Sequence, residues 1–195
     1  MIRFFDLLFS FLGLLVFLPF LPVISLFILL DSGGSIFYRQ TRVGRNGKDF
    51  RLFKFRTMVP GADRKGFLTV GMRDGRITKV GYFLRNTKID ELPQLINVLK
   101  GDMSMVGPRP EIRKYVELYS REQWKVLTVR PGLTDYASVE FINENEILGR
   151  SSDPEETYIR EVMPAKIVLN MRFIQQPTLR NYFVILGKTL QKILT

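Results

Sequence analysis

The sequence predicts an α/β domain of α+β type: a β-hairpin with several helices, anchored by an N-terminal broken membrane helix and by amphipathic helices near the carboxyl end. Three observations predict it. An uncharged stretch from Leu7 to Leu30 is 24 residues long, two strand-like segments flank a Gly-Arg-Asn-Gly turn signal, and apolar residues then recur at helical spacing. A chain of 195 residues suits one domain with a real core.

Taken in order, the Leu7–Leu30 run holds only Ser10, Gly13, Pro19, Pro22 and Ser25 outside the aliphatic and aromatic classes. As one helix it would measure about 36 Å, enough to cross a bilayer. Pro19 and Pro22 each remove a helix hydrogen bond and crowd the preceding turn, so a kink or break is expected there. A broken helix can dip into one leaflet and return, and a kinked single-pass helix is the competing topology. A secretory signal fits worse, because the run is long and no small-x-small cleavage site follows it.

The hairpin comes next. Ile36 to Val43 and Phe50 to Met58 flank Gly44-Arg45-Asn46-Gly47, and in the second strand Phe53 and Phe55 share one face while Lys54 and Arg56 share the other. A Gly- and charge-rich loop is expected over roughly Pro60 to Arg76. Leu92, Leu95, Ile96 and Leu99 then stand at i, i+3, i+4 and i+7, with Gly101 at the helix end. A further helix is expected from Glu111 to about Val126. Pro164 to Ile174 and Leu179 to Leu194 are amphipathic and separated by Pro177. In the last of these, Phe183, Ile185, Leu186 and Leu190 either lie on a membrane surface or pack on the core.

Composition narrows the chemistry. The chain carries 29 Lys and Arg against 19 Asp and Glu, a net +10, with no histidine and no cysteine. Ser-His-Asp and Cys-His nucleophilic sites, Cys/His zinc sites, disulfides and histidine acid/base steps are therefore excluded. Carboxylate, lysine, arginine and hydroxyl chemistry remains, and Mg²⁺ is the natural metal for such ligands. Six of the ten net charges fall between Ser35 and Arg56, directly after the apolar run, which by the positive-inside rule makes this face cytoplasmic and beside anionic lipid. The same surplus could mark nucleic-acid binding, but zinc-finger spacing, an RNP-like motif and a basic zipper are all missing, so no nucleic-acid partner is expected.

Asp90-Glu91-Leu92-Pro93 is the first segment with a chemical flavour. Pro93 fits only the first turn of the helix, which puts both carboxylates at its amino-terminal end. Capping alone explains most such acidic pairs. Here Arg85 lies just upstream, and Gly107-Pro108-Arg109-Pro110 follows the helix, shaping a proline-braced arginine whose planar fork suits an oxyanion.

These residues carry a resemblance. Lys54-Phe55-Arg56-Thr57-Met58, the run from Asp90-Glu91-Leu92-Pro93-Gln94 through Gly101-Asp102-Met103-Ser104 to Gly107-Pro108-Arg109-Pro110, and Arg130-Pro131-Gly132-Leu133-Thr134 resemble, in order, the bacterial sugar transferases known as monotopic phosphoglycosyl transferases. The likeness covers nearly the whole chain and the length resembles that of minimal, catalytic-unit members. It implies a re-entrant membrane helix over residues 1–32 and a catalytic domain over 33–195 on the cytoplasmic face of the bacterial inner membrane, as one functional unit. It implies transfer of a sugar-1-phosphate from a UDP-sugar to a polyprenyl phosphate such as undecaprenyl phosphate, with UMP released, at the start of glycan assembly that downstream glycosyltransferases would continue. Carried over residue by residue, Asp90 is the nucleophile that forms a phosphosugar-aspartyl intermediate, Glu91 helps hold Mg²⁺, and Arg85, Arg109, Lys54 and Arg56 lie near the phosphates.

One stretch departs from the family pattern. Where many members have Gly-x-Ala-Gln after Arg-Pro-Gly-Leu-Thr, this chain reads Asp135-Tyr136-Ala137-Ser138, so Asp135, Tyr136 and Ser138 are candidate readers of the donor sugar. Two rivals stand beside the transferase: a non-catalytic, basic membrane-surface module in which Asp90 and Glu91 only cap a helix, and a Mg²⁺-dependent phosphoanhydride hydrolase that needs no lipid.

Overall fold

The computed structural model describes residues 1–65, 68–71 and 74–194, so part of the expected Pro60–Arg76 loop, at 66, 67, 72 and 73, lies outside the described residues. The apolar run forms α1 (Ile2–Phe17) and α2 (Leu21–Ser32), joined by a 3₁₀ turn at Leu18–Phe20. Pro19 opens that turn and Pro22 opens α2, the positions where a missing N–H is tolerated. Phe11, Val16, Leu18, Phe20 and Leu30 are exposed on this pair of helices. A surface so apolar belongs in lipid rather than water.

Both ends of the helix pair are tied to the same domain. Near the start, Arg3 donates to the carbonyls of Leu99 (3.1 Å) and Met103 (3.4 Å). Asp6, which is buried, accepts from the Ser104 hydroxyl (2.9 Å), the Met105 N–H (2.9 Å) and the Tyr182 hydroxyl (3.1 Å). At the other end Asp31 accepts the Val80 N–H at 2.8 Å. Buried polar groups hold their geometry because leaving any one of them unpaired is costly.

The hairpin forms as β1 (Phe37–Val43) paired antiparallel with β2 (Asp49–Phe55), in register from Phe37 opposite Phe55 to Val43 opposite Asp49. Asn46 and Gly47 take φ of 57° and 74° at the turn, which is the conformation an Asn-Gly pair favours. On one face Phe37 stacks on Phe55 (5.4 Å) and the Arg39 guanidinium lies over Phe53 (5.1 Å). The opposite face carries Leu52 into the core beside Val98 and Met103, and carries Lys54 toward the site.

Helix α3 (Lys79–Asn86) is capped by Thr78 and packs against α2, and α4 (Gln94–Lys100) ends at Gly101 with φ 91° as expected. Asn97, wholly buried, locks α4 to β2 by accepting the Phe53 N–H (3.0 Å) and donating to the Arg51 carbonyl (2.8 Å). The chain then forms a pairing not anticipated from sequence: β3 (Ser104–Val106) runs parallel to β4 (Gly132–Thr134). It brings Gly107-Pro108-Arg109-Pro110 against Arg130-Pro131-Gly132. A methyl group on Gly132 would stand 2.1 Å from the Gly107 nitrogen, so only glycine allows this approach.

The helix expected over Glu111–Val126 is broken. Only α5 (Arg113–Val116) and a 3₁₀ segment at Gln123–Thr128 form. Ser120 and Gln123 exchange side-chain and backbone hydrogen bonds (2.8 and 3.3 Å), a capping box that starts a new helical segment inside the expected one. Four helices complete this half before the last: α6 (Tyr136–Glu140), α7 (Glu144–Gly149), α8 (Pro154–Thr157) and α9 (Met163–Gln175), with a π-helical turn at Tyr158–Val162 leading into α9. In α10 (Leu179–Leu194), Tyr182 and Ile185 enter a core cluster with Val106 and Phe173, while Phe183 meets Phe5 and Phe9 of α1 at 5.1 and 6.2 Å. Packing on the core is thus observed for part of this helix, while Val184 and Leu190 remain exposed.

Candidate active site

A cavity of about 1290 Å³ lies between the hairpin, the start of α4 and the α6–α9 helices. Asp90 and Glu91 reach it from a 3₁₀ turn at Ile89–Glu91 that leads through Pro93 into α4. The turn follows Lys88, whose φ of 58° is unusual for a residue with a side chain and reverses the chain between α3 and the carboxylates.

The two neighbouring acids live differently. Glu91 is clamped: Lys54 donates to it at 3.0 Å, Arg109 Nη1 donates at 3.1 Å, and Arg109 Nη2 donates to its other oxygen. Burial alone would raise its pKa, but Arg109 and Lys54 together hold it well below the usual carboxylate range. Asp90 is 6% exposed and accepts no hydrogen bond from the described residues. Burial pushes its pKa up, against the pull of Lys54 and with a push from Glu91. A desolvated, unbonded carboxylate is a stronger nucleophile than a solvated one, and its lone pairs are free.

Around them, burial lowers the Lys54 pKa despite Glu91, and the Glu91 charge raises that of Arg109. Arg85 lines the cavity from the last turn of α3, held by the Thr57 (2.9 Å) and Thr69 (3.2 Å) hydroxyls. Pro108 accepts the Gly132 N–H at 2.9 Å and Pro110 accepts Arg42 Nη1 at 3.1 Å, so the loop around Arg109 is fixed on both sides.

Of the expected site residues, Arg56 lines the cavity but its guanidinium is bonded elsewhere, and Asp135 and Tyr136 are placed differently. Strand alternation puts Arg56 beside Lys54, but β2 ends at Phe55 and the Arg56 guanidinium turns to the Ser32 hydroxyl (2.9 Å) and the Gly33 carbonyl, tying α2 to the domain. Asp135 and Tyr136 do not line the cavity. Asp135, 1% exposed, caps α6 by accepting the Ser138 N–H (2.5 Å) and braces Arg109 by accepting its backbone N–H (3.0 Å). Tyr136 packs beside the Val106 and Tyr182 cluster under Lys188. Ser138 does line the cavity.

Several cavity residues were missed from sequence. Arg42 bonds Gln40 (2.7 and 3.0 Å) and Glu111 (3.1 Å), and Glu111 also accepts the Tyr158 hydroxyl. Lys166 pairs with Glu144 at 2.7 Å. The one sequence signal for the far wall is Asn170, a polar residue among the apolar positions Met163, Ile167 and Phe173 of α9.

Among the described residues no three His, Cys, Asp or Glu side chains converge as a metal site. Asp90 and Glu91 supply only two carboxylates. That donor set fits a Mg²⁺ that completes its shell with waters and substrate phosphate, the usual arrangement for this ion. The cavity also reaches Phe9 and Gly13 of α1, Leu92 and Leu95, and Leu186 and Leu190 of α10, so one chamber joins a charged wall to the apolar helices.

A buried carboxylate beside a cation-clamped one, in a chamber that reaches the apolar N-terminal helix, defines the candidate site. The chain belongs to the bacterial sugar transferase family, whose model matches residues 1–195. It is 47% identical over 120 residues (62% of this chain) to a Bacillus subtilis (strain 168) protein provisionally named undecaprenyl-phosphate N-acetylgalactosaminyl 1-phosphate transferase. It is 36% identical over 194 residues (97%) to the UDP-N-acetylgalactosamine-undecaprenyl-phosphate N-acetylgalactosaminephosphotransferase of Aeromonas hydrophila. It is 42% identical over 137 residues (69%) to the UDP-glucose:undecaprenyl-phosphate glucose-1-phosphate transferase of Escherichia coli (strain K12). The matches span 67%, 43% and 30% of those three proteins respectively.

Proposed function

We propose that the protein moves a sugar-1-phosphate from a UDP-sugar to undecaprenyl phosphate through a covalent intermediate on Asp90. The observation that carries this is the contrast within one buried pair: Asp90 is unbonded and faces the cavity, while Glu91 is fixed between Lys54 and Arg109. An Asp90 oxygen attacks the donor's β-phosphorus, the bond from that phosphorus to the bridging oxygen breaks, and UMP leaves with that oxygen. A phosphate oxygen of the lipid then attacks the aspartyl phosphosugar, forming the diphosphate link and restoring the Asp90 carboxylate. Arg109, Lys54 and Arg85 place positive charge where the diphosphate must lie, which offsets its repulsion of an incoming carboxylate. Mg²⁺, held by Glu91 with Asp90 alongside, would add charge neutralisation at the phosphates when bound. The apolar end of the cavity, between α1 and α10, suits the acceptor's isoprenoid chain.

The test is intact mass. Protein incubated with Mg²⁺ and UDP-sugars in the absence of lipid should gain one sugar phosphate, and undecaprenyl phosphate should discharge it. Asp90→Asn should gain nothing; an adduct on that variant would remove Asp90 from its role.

A re-entrant helix on the cytoplasmic face of the inner membrane is the topology this reading needs. Its support is that Arg3 and Asp6 at one end, and Asp31 at the other, bond the same domain. The cysteine-free background allows single cysteines at Ile2 and Ser35. Both should react with an impermeant thiol reagent in inside-out vesicles and neither in intact cells; labelling at Ile2→Cys from outside would establish a span instead.

A further inference from the structure

Buried polar atoms without partners are rare in folded proteins and each asks for an explanation. Among the described residues such atoms are Arg56 Nε, Gln94 Nε2, Ser138 Oγ and Asn170 Oδ1. Arg56 follows β2 and Gln94 does not line the cavity, whereas Ser138 on α6 and Asn170 on α9 both line the wall opposite the carboxylates. Asn170 is only 6% exposed, so water at the protein surface does not serve it. Helices α6 and α9 pack directly on each other, which brings the two side chains to one wall.

Two charged groups beside these atoms are already partnered. Lys166, one turn before Asn170, is spent on Glu144 at 2.7 Å. Both Asp135 oxygens are occupied, one by the Ser138 N–H and one by the Arg109 N–H. An ionised phosphate offers no proton to an amide carbonyl, and an isoprenoid chain offers no polar group at all. What fits is an uncharged group that donates a hydrogen bond, such as a hydroxyl or an amide N–H. The position is also set: through Asp135, Ser138 is held one cap away from the backbone of Arg109, the arginine that clamps Glu91.

We infer that Ser138 and Asn170 form a neutral subsite that reads a hydroxyl or amide N–H on the uncharged part of the nucleotide sugar. This rests on the transferase reading above. The group lies either on the sugar or on the uridine, and the two sources separate experimentally.

The experiment compares the parent protein with Ser138→Ala and Asn170→Leu, the first of which leaves the backbone cap to Asp135 intact. UMP release is measured with UDP-glucose, UDP-galactose and their N-acetylamino counterparts, together with inhibition by UDP. Each variant should lose about tenfold or more in kcat/KM for the preferred donor, through KM, because a site built around a hydrogen bond is left unpaired without it. An unchanged UDP inhibition constant, with narrowed discrimination among donors, places the group on the sugar; weakened UDP inhibition places it on the uridine. Parent values throughout, or a fall in kcat alone for all donors with KM and UDP inhibition unchanged, would overturn the subsite. If the parent releases UMP from no donor, the transferase reading fails, and calorimetric titration of the same UDP-sugars decides the subsite: weaker binding by both variants supports it, equal or absent binding refutes it.

Discussion

The cavity has two unlike walls. The first, built from β2, the Ile89–Glu91 turn and the Arg109 loop, is dense with charge, and its cations are already paired with Glu91. The second, built from α6 and α9, holds unpartnered neutral groups and one self-contained ion pair. The difference separates two tasks. A diphosphate needs compensating charge wherever it comes from, whereas the uncharged remainder of a donor is distinguished only by hydrogen bonds and shape. Asp135 is the strut between the walls, since it accepts from Arg109 on one side and from Ser138 on the other.

Removing charge from the first wall should have the largest effect. Arg109→Ala leaves Glu91 with Lys54 alone and, on the proposed mechanism, removes positive charge from beside the diphosphate, so kcat/KM for UMP release should fall by roughly 10²–10³-fold. Arg109→Lys should recover only part, because an ammonium cannot make the paired contacts of a guanidinium. A loss below about threefold in Arg109→Ala would show that charge does not develop at this wall.

The same wall sets the pH response. Asp90 must be ionised to attack, and burial raises its pKa, so activity should climb about tenfold per pH unit on an acid limb shifted upward from that of an exposed aspartate. Lys54, lowered by burial, should lose its charge below the usual lysine range and set an alkaline limb, while Arg109 stays protonated throughout. Because the Glu91 charge helps raise Asp90, Glu91→Gln should move the acid limb to lower pH even as the rate falls. An acid limb that stays in place in a pH–rate series would detach the titration from Asp90.

The walls also differ in how far they could be read from sequence. Asp90, Glu91, Arg109 and Lys54 sit in short, ordered motifs whose local rules (proline at a helix start, glycine at its end, alternation along a strand) carry over directly into the structure. Arg56 lines the cavity, but alternation does not foretell that its guanidinium bonds Ser32 and Gly33 once the strand ends. Asp135 and Tyr136 were placed at the sugar by their position in a motif, whereas capping geometry drew Asp135 inward and burial drew Tyr136 to the α10 cluster. The capping box at Ser120 and Gln123 was legible and would have divided the helix expected over Glu111–Val126. The parallel pairing of β3 with β4 was not, because two three-residue strands leave almost no periodicity to read. Asn170 acquires meaning only when α9 is packed against α6.

The smallest effect belongs to the strut, and it is the one that tells whether the walls work independently. Asp135→Ala loses an N-cap worth about 1 kcal/mol, which for a chain of this size lowers Tm by roughly 2–4 °C. It also frees the Arg109 backbone, so kcat/KM should fall severalfold, more modestly than when the Arg109 side chain itself is removed. Asp135→Asn separates the two consequences. An amide has one acceptor oxygen where the carboxylate has two, so it can serve the Ser138 N–H or the Arg109 N–H but not both. The oxygen that caps α6 makes the shorter contact, 2.5 Å against 3.0 Å, and should keep its partner. Asp135→Asn should therefore regain the Tm while kcat/KM stays low, because the brace on Arg109 is still missing. Recovery of both together would mean that Asp135 acts through the stability of α6 alone and that Arg109 holds its place without it.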